Sequence, residues 1–247
     1  MQHLRTVIYP LPSAKVMGYW NPDQIRATAH RYGKRMKLLG LGMDFGPDAD
    51  LAVPGSFIDI ERRAFSDSPR AVATAVKAWT DGMKSAGIVP VIKHWPGHGA
   101  ATNTHQRAAV IAPLPILEQR DIVPFESAFK RDLQAVMVGH LSVPGLTRGK
   151  EPASMSRSAL TYLRARTGPK TVIITDSLSM GASSSALRIN PAMAAVRALE
   201  AGADWALVCS YSPAKVASAI KHALNTGSLP RPQAIESARR ILALKHP

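Results

Sequence analysis

The sequence predicts an α/β fold built on parallel strands. Short apolar runs alternate with amphipathic stretches, strand then helix, at intervals of roughly 35 to 40 residues, the spacing of β-α units. Strands joined through helices in this way run parallel, with right-handed crossovers. Several apolar runs also stop abruptly at polar groups. Ile88 to Ile92 ends at Lys93 and His94, Gln134 to Val138 at Gly139-His140, and Thr171 to Thr175 at Asp176. Such carboxyl edges are where α/β proteins place their chemistry.

Taken in order, Asn21-Pro22-Asp23 opens a helix expected to reach Leu38, with Asn21 as N-cap and Pro22 at the first helical position. Ile25, Ala29, Tyr32 and Met36 recur at helical spacing and are expected to face the core. Gly40 and Gly42 end this helix. Gly42 to Pro47 reads as a short buried strand, with Asp48 and Asp50 just beyond. Ser68-Pro69 starts a helix through Ala86, with Val72, Val76, Trp79 and Met83 on one face and Gly87 closing it. Strand Ile88 to Ile92 follows. Pro96, Gly97 and Gly99 then supply turn geometry, and His94, His98 and His105 lie on or beyond the strand's end. A loop through Pro113 and Pro115 leads to a helix from Glu118 to Arg131 and a strand from Gln134 to Val138. Ser154 to Arg166 is expected as helix, capped by Ser154 or Ser156, and Thr171 to Thr175 as strand. An Ala-rich helix, Pro191 to Ala201, is closed by Gly202. Asp204 to Cys209 reads as a strand, and Pro213 to Leu224 and Pro232 to Lys245 as the last helices. This gives about five strands, where a complete eight-fold barrel has eight.

The 247 residues, 46% hydrophobic, suffice for one large α/β domain or two small ones. The single Cys209 excludes an intrachain disulfide framework. No apolar run approaches the roughly 20 residues needed to span a bilayer, so no membrane span is expected. The net charge is +14, but the Lys and Arg residues are scattered, without a basic block or aromatic interleaving. The pattern predicts a basic surface and no nucleic-acid partner. His94, His98 and His105 lie in a Pro-Gly loop and fit no helical His-Glu-x-x-His pattern, so no metal is expected. The first residues carry no apolar signal-peptide core. As written the chain reads as cytoplasmic, or as exported or cell-envelope if a leader precedes it.

Lys93-His94-Trp95-Pro96-Gly97-His98-Gly99 resembles the Lys-His-Phe-Pro-Gly-His-Gly signature of glycoside hydrolase family 3, nearest to its NagZ-type β-N-acetylglucosaminidases. Thr171 to Ala182, Thr-Val-Ile-Ile-Thr-Asp-Ser-Leu-Ser-Met-Gly-Ala, resembles the family's second signature, Ile-Thr-Asp-Asp-Leu-Ser-Met. The two stand in family order, and the resemblance runs over essentially the whole chain. It implies a single catalytic domain over residues 1–247, a TIM-type (β/α)8 barrel. The implied activity is a retaining glycosidase that releases terminal β-N-acetylglucosamine from peptidoglycan-derived fragments and needs no cofactor. Its partner is a small carbohydrate containing N-acetylglucosamine.

The site residues follow from the same resemblance. Asp176 matches the nucleophile, although on spacing alone it is equally a helix N-cap after a strand. Arg63, Lys93 and His94 match the sugar-binding residues. Without the resemblance, Arg63 reads equally well as a surface residue near Glu61. His98 and His140 are supporting groups, His140 in a segment resembling the family's Met-x-Ala-His. Asn103-Thr104-His105 stands where the family has Asp-Ser-His, which makes His105 the general acid/base. An Asn103 amide oxygen can accept the imidazole N–H but cannot stabilise an imidazolium by charge. A weakened acid/base is the expectation. Only eleven residues precede Pro12-Ser13-Ala14, and Met1-Gln2-His3 stands at the family's Val-x-Arg. The barrel is therefore expected to be incomplete at its N-terminal end, without the family's sugar-binding acid from Asp-x-Glu-Gly-Gly. The alternative expectation is a truncated or vestigial member with weak or no catalysis, acting as a binding protein, or a misread start.

Overall fold

The elements of the chain, in order, are helices and short strands. They are α1 (Ala14–Met17), α2 (Pro22–Leu38), β1 (Met43–Asp44), α3 (Phe57–Ile60), α4 (Pro69–Ser85), β2 (Val89–Trp95), β3 (Ala109–Val110), α5 (Leu114–Gln119) and α6 (Val123–Phe129). There follow β4 (Ala135–Val138), β5 (Leu141–Ser142), α7 (Arg157–Thr167), β6 (Val172–Thr175), α8 (Pro191–Ala201), α9 (Pro213–Thr226) and α10 (Arg231–Ala243). The computed structural model describes residues 4, 6–104, 109–131, 133–183 and 187–244. His105, His3 and Lys245 lie outside the described residues. The chain divides into two units, residues 1–100 with 117–136, and residues 101–116 with 137–247.

In the first unit, α2 begins as its sequence requires. Asn21 Oδ1 accepts from Gln24 N–H at 2.9 Å, and the Gln24 side chain accepts from Asn21 N–H in return, a reciprocal capping box. Ile25, Ala29, Tyr32 and Met36 are buried, as are Val72, Val76, Trp79 and Met83 of α4. Burying each larger side chain contributes roughly 1.5–3 kcal/mol. The two helices pack closely because residue 82 is glycine. A Cβ there would lie 2.3 Å from the Arg26 carbonyl oxygen. α4 then returns the chain to β2, which pairs in parallel with β1 in the register Met43↔Val89 and Asp44↔Pro90.

The strand limits differ from expectation. β1 covers only Met43–Asp44, but pairing resumes beyond it: Val91 N–H donates to Gly46 O, Lys93 N–H to Pro47 O, and Ala49 N–H to Lys93 O. These bonds carry β2 past the apolar run to Trp95. The expected helix over residues 118–131 is broken in two. Pro124 has no N–H with which to continue the preceding helix but is tolerated in a first turn, so α6 starts anew at Val123.

In the second unit, β3 and β5 pair in parallel, Ala109↔Leu141 and Val110↔Ser142, where only loop was expected around residue 109. α7 starts at Arg157, after the N-cap Ser156. β6 is wholly buried. The expected strand Asp204 to Cys209 is not formed; a single parallel bridge joins Ile174 and Trp205. The ladder is interrupted because Leu207 N–H donates to the Thr175 side-chain oxygen, at 3.0 Å, and not to a backbone carbonyl. Asp204 works instead as a junction. Its Oδ2 accepts from Ile173 N–H (2.8 Å) and Arg164 (2.5 Å). Its Oδ1 accepts from Ser237 (2.9 Å) and Arg240 (2.8 Å). Val196, Ala223 and Leu229 form an apolar cluster under α8 and α9. Among the described residues, no helix is long and apolar enough to cross a membrane.

Candidate active site

The first unit gathers Arg63, Lys93, His94 and His98 into one cluster around two aspartates. Asp48 meets two cations: Arg63 Nε donates to its Oδ2 at 2.8 Å, and Lys93 Nζ lies 3.6 Å from its Oδ1. Lys93 also donates to the Phe45 carbonyl. Burial works to raise the Asp48 carboxyl, but the charges of Lys93 and Arg63 outweigh it and hold the group well below the ordinary carboxylate range. Arg63 therefore belongs to Asp48 and not to Glu61, the C-cap of α3. Asp44, buried beside Gly46, accepts from the Trp79 indole at 3.2 Å, and burial pushes its carboxyl up.

Asp50 is fully buried and organises the histidines. Its Oδ1 accepts from His98 N–H (2.6 Å) and His94 N–H (3.2 Å), and its Oδ2 lies 2.8 Å from His94 Nδ1. His94 Nε2 lies 3.4 Å from Arg63 Nη2. A guanidinium only donates, so Nε2 accepts and Nδ1 carries the proton to Asp50. The His98 ring is 5.6 Å from that of His94, and burial lowers its pKa to about 4.

The motif loop is closely packed around this cluster. A Cβ on Gly99 would sit 2.5 Å from the Leu51 carbonyl oxygen, and one on Gly97, at φ +123°, 2.6 Å from Asp121 Cβ. Asp48, Asp50 and His94 present ligand atoms within 4.8 Å of one another, close enough for a cation. Those atoms are already engaged by Arg63, Lys93 and three N–H groups, which makes the trio a charge-paired cluster. The roles of Asp48 and Asp50 went unassigned in the sequence. The available signal was their place just past β1, facing a strand that carries Lys and His.

The second unit holds Asp176, His140 and Asn103. Asp176 directly follows β6. Its N–H donates to Val138 O at 2.9 Å, and its Oδ1 accepts from Ser177 N–H at 2.7 Å. The His140 ring is buried between Ser154 and the Ser177 carbonyl. Asn103 is half-buried and precedes buried Thr104, whose carbonyl accepts from Ala182 N–H at 3.1 Å.

A parallel-strand scaffold that ends in a Lys-His motif and in an Asp matches a known pattern from end to end. Residues 1–244 match the model of the glycosyl hydrolase family 3 N-terminal domain. The chain belongs to glycosyl hydrolase family 3. Among family 3 relatives, the beta-hexosaminidase LpqI of Mycobacterium tuberculosis is 35% identical over 96% of this chain, which spans 62% of LpqI's length. A beta-hexosaminidase of Xanthomonas axonopodis pv. citri is 34% identical over 91% of the chain and 68% of its own length. The crystal structure of a family 3 glycosyl hydrolase from Mycobacterium smegmatis is 35% identical, with a TM-score of 0.90 over 99% of this chain and 76% of that one. The fold of this family 3 chain is accordingly of the TIM-type (β/α)8 barrel class, with parallel sheets.

Proposed function

We propose that the chain acts as one catalytic domain, a retaining β-N-acetylhexosaminidase that releases terminal β-N-acetylglucosamine from peptidoglycan-derived fragments. The observation that carries this reading is Asp176, a carboxylate at the end of β6 with one oxygen held by a backbone N–H. The names of the relatives, beta-hexosaminidases, point the same way.

In the first step an Asp176 oxygen attacks the anomeric carbon while the glycosidic oxygen leaves. The proton for the leaving oxygen comes from His105. In the second step His105 takes a proton from water, whose oxygen displaces Asp176 from the sugar. Lys93 and Arg63 donate to the sugar's hydroxyls from positions that Asp48 holds, and His94, oriented by Asp50, lines the same subsite. Asn103 supplies an amide oxygen, an acceptor suited to an imidazole N–H. Because Asn103 brings no charge, the acid/base step is slower than with an Asp. That substitution favours a second reading, a family member that binds N-acetylglucosamine with little turnover.

The test is hydrolysis of 4-nitrophenyl N-acetyl-β-glucosaminide by the chain and by Asp176→Ala. Turnover lost in the variant is the expected result. Absence of turnover in both, with N-acetylglucosamine still binding, would favour the second reading.

A further inference from the structure

His140 lies two residues past β4, and its buried ring has two described partners. Nε2 is 2.9 Å from the Ser177 carbonyl oxygen and Nδ1 is 2.7 Å from Ser154 Oγ. A carbonyl oxygen only accepts, so Nε2 carries a proton. Ser154 is itself fully buried, and its hydroxyl on Nδ1 fixes the plane of the ring. Ser177 is thus anchored at both ends. Its carbonyl accepts from His140, and its N–H donates to Asp176 Oδ1 at 2.7 Å.

We propose that His140 is a positioning residue for the reaction: by anchoring the Ser177 carbonyl it keeps the Ser177 N–H on Asp176 Oδ1 and so fixes the rotation of the carboxylate. The other oxygen is then presented in one orientation. The inference rests on the reading of Asp176 as nucleophile. It explains why a polar ring is buried under this strand end, where an apolar side chain would fill the space without needing two partners. Misplacing a reacting group by about 1 Å costs on the order of 100-fold in rate. Losing the anchor is expected to lower kcat by about 10- to 100-fold, with KM changed by less than about 3-fold.

Two variants separate positioning from bulk. His140→Gln places an amide N–H where Nε2 was, and His140→Asn places one nearer Nδ1, out of reach of Ser177. NMR of the full chain would follow the His140 ring nitrogens in the wild type and the Ser177 amide proton in all three proteins. The expected wild-type ring carries its proton on Nε2, and the Ser177 amide is shifted downfield by its carboxylate acceptor. His140→Asn moves that amide back towards the ordinary range, and His140→Gln restores most of the shift along with kcat. A wild-type proton on Nδ1 alone, or a Ser177 amide equal in the two variants, overturns the proposal whether or not the chain hydrolyses the chromogenic substrate. Restoration by Gln in a chain that shows no turnover would keep the anchoring and sink the glycosidase reading.

Discussion

Asp48 and Asp176 each lie just past a parallel strand, in different units of the chain, and they are held in different ways. Asp48 is met by two cations, Arg63 and Lys93, in a largely buried setting. Asp176 is half-buried, and its Oδ1 takes a backbone N–H from Ser177. A carboxylate paired with cations stays ionised, but its lone pairs are committed. Its use is to aim the remaining donors of its partners. The Ser177 N–H on one oxygen of Asp176 sets how that carboxylate is turned. The described partners thus distinguish a carboxylate that aims cations from one that is itself aimed by a peptide N–H.

The contrast can be broken most severely at Asp176. Asp176→Ala is expected to lower turnover by roughly 10⁴-fold or more, while N-acetylglucosamine affinity, read by calorimetry, changes by less than about 3-fold. Equal losses of binding and turnover would erase the distinction.

Asp48→Asn tests the other side. It leaves Lys93 and Arg63 facing a neutral amide, a change expected to cost roughly 3–5 kcal/mol in urea unfolding and to weaken sugar binding. The folded pKa of Asp48 is depressed, so its contribution is full above the unfolded value of about 4 and is lost as pH falls through the folded value. The gap between wild type and Asp48→Asn should therefore narrow in acid; a constant gap would mean that the ion pairs are not its source.

His98 sharpens the comparison through pH. Burial lowers it from 6.5 to about 4. The unfolded chain takes up a proton between those values that the folded chain refuses. Wild-type stability should thus fall as pH drops from about 6.5 towards 4, by roughly 3 kcal/mol from this group. His98→Gln should flatten that slope, and parallel pH curves for the two proteins would refute the effect.

Gly99→Ala is expected to have the smallest effect, about 1–3 kcal/mol from overpacking against the Leu51 carbonyl. The same substitution should raise KM more than it lowers kcat, since the loop carries binding groups.

What was legible in the sequence was mostly local. α2 needed only Asn21, Pro22 and a 3.6-residue period, and α4 needed Ser68, Pro69 and the Val72-to-Met83 face. Both formed where expected. The long-range partners were not legible. Arg63 lies two residues from Glu61 in sequence but bonds to Asp48, which the pairing of residues 46–49 with β2 helps to place. The segment 204–209 has the composition of a strand, yet Thr175 diverts one of its N–H groups and leaves a single bridge. Asp121 to Pro124 broke an expected helix because one missing N–H outweighed a suitable periodicity. The motif residues were recognisable as a set. Asp50, which joins His94 to His98, was visible as an acid beyond a strand, with no role attached to it.

The Asp204 junction gives the C-terminal helix a share in the lifetime of β6. If α10 peels away, Ser237 and Arg240 leave a buried carboxylate half-satisfied, and the same carboxylate holds the Ile173 amide at the start of the strand that leads to Asp176. Helix and strand should then open as one cooperative unit. The slow hydrogen exchange of Ile173 and that of the inner amides of α10 should share a single rate, rising together under mild denaturant.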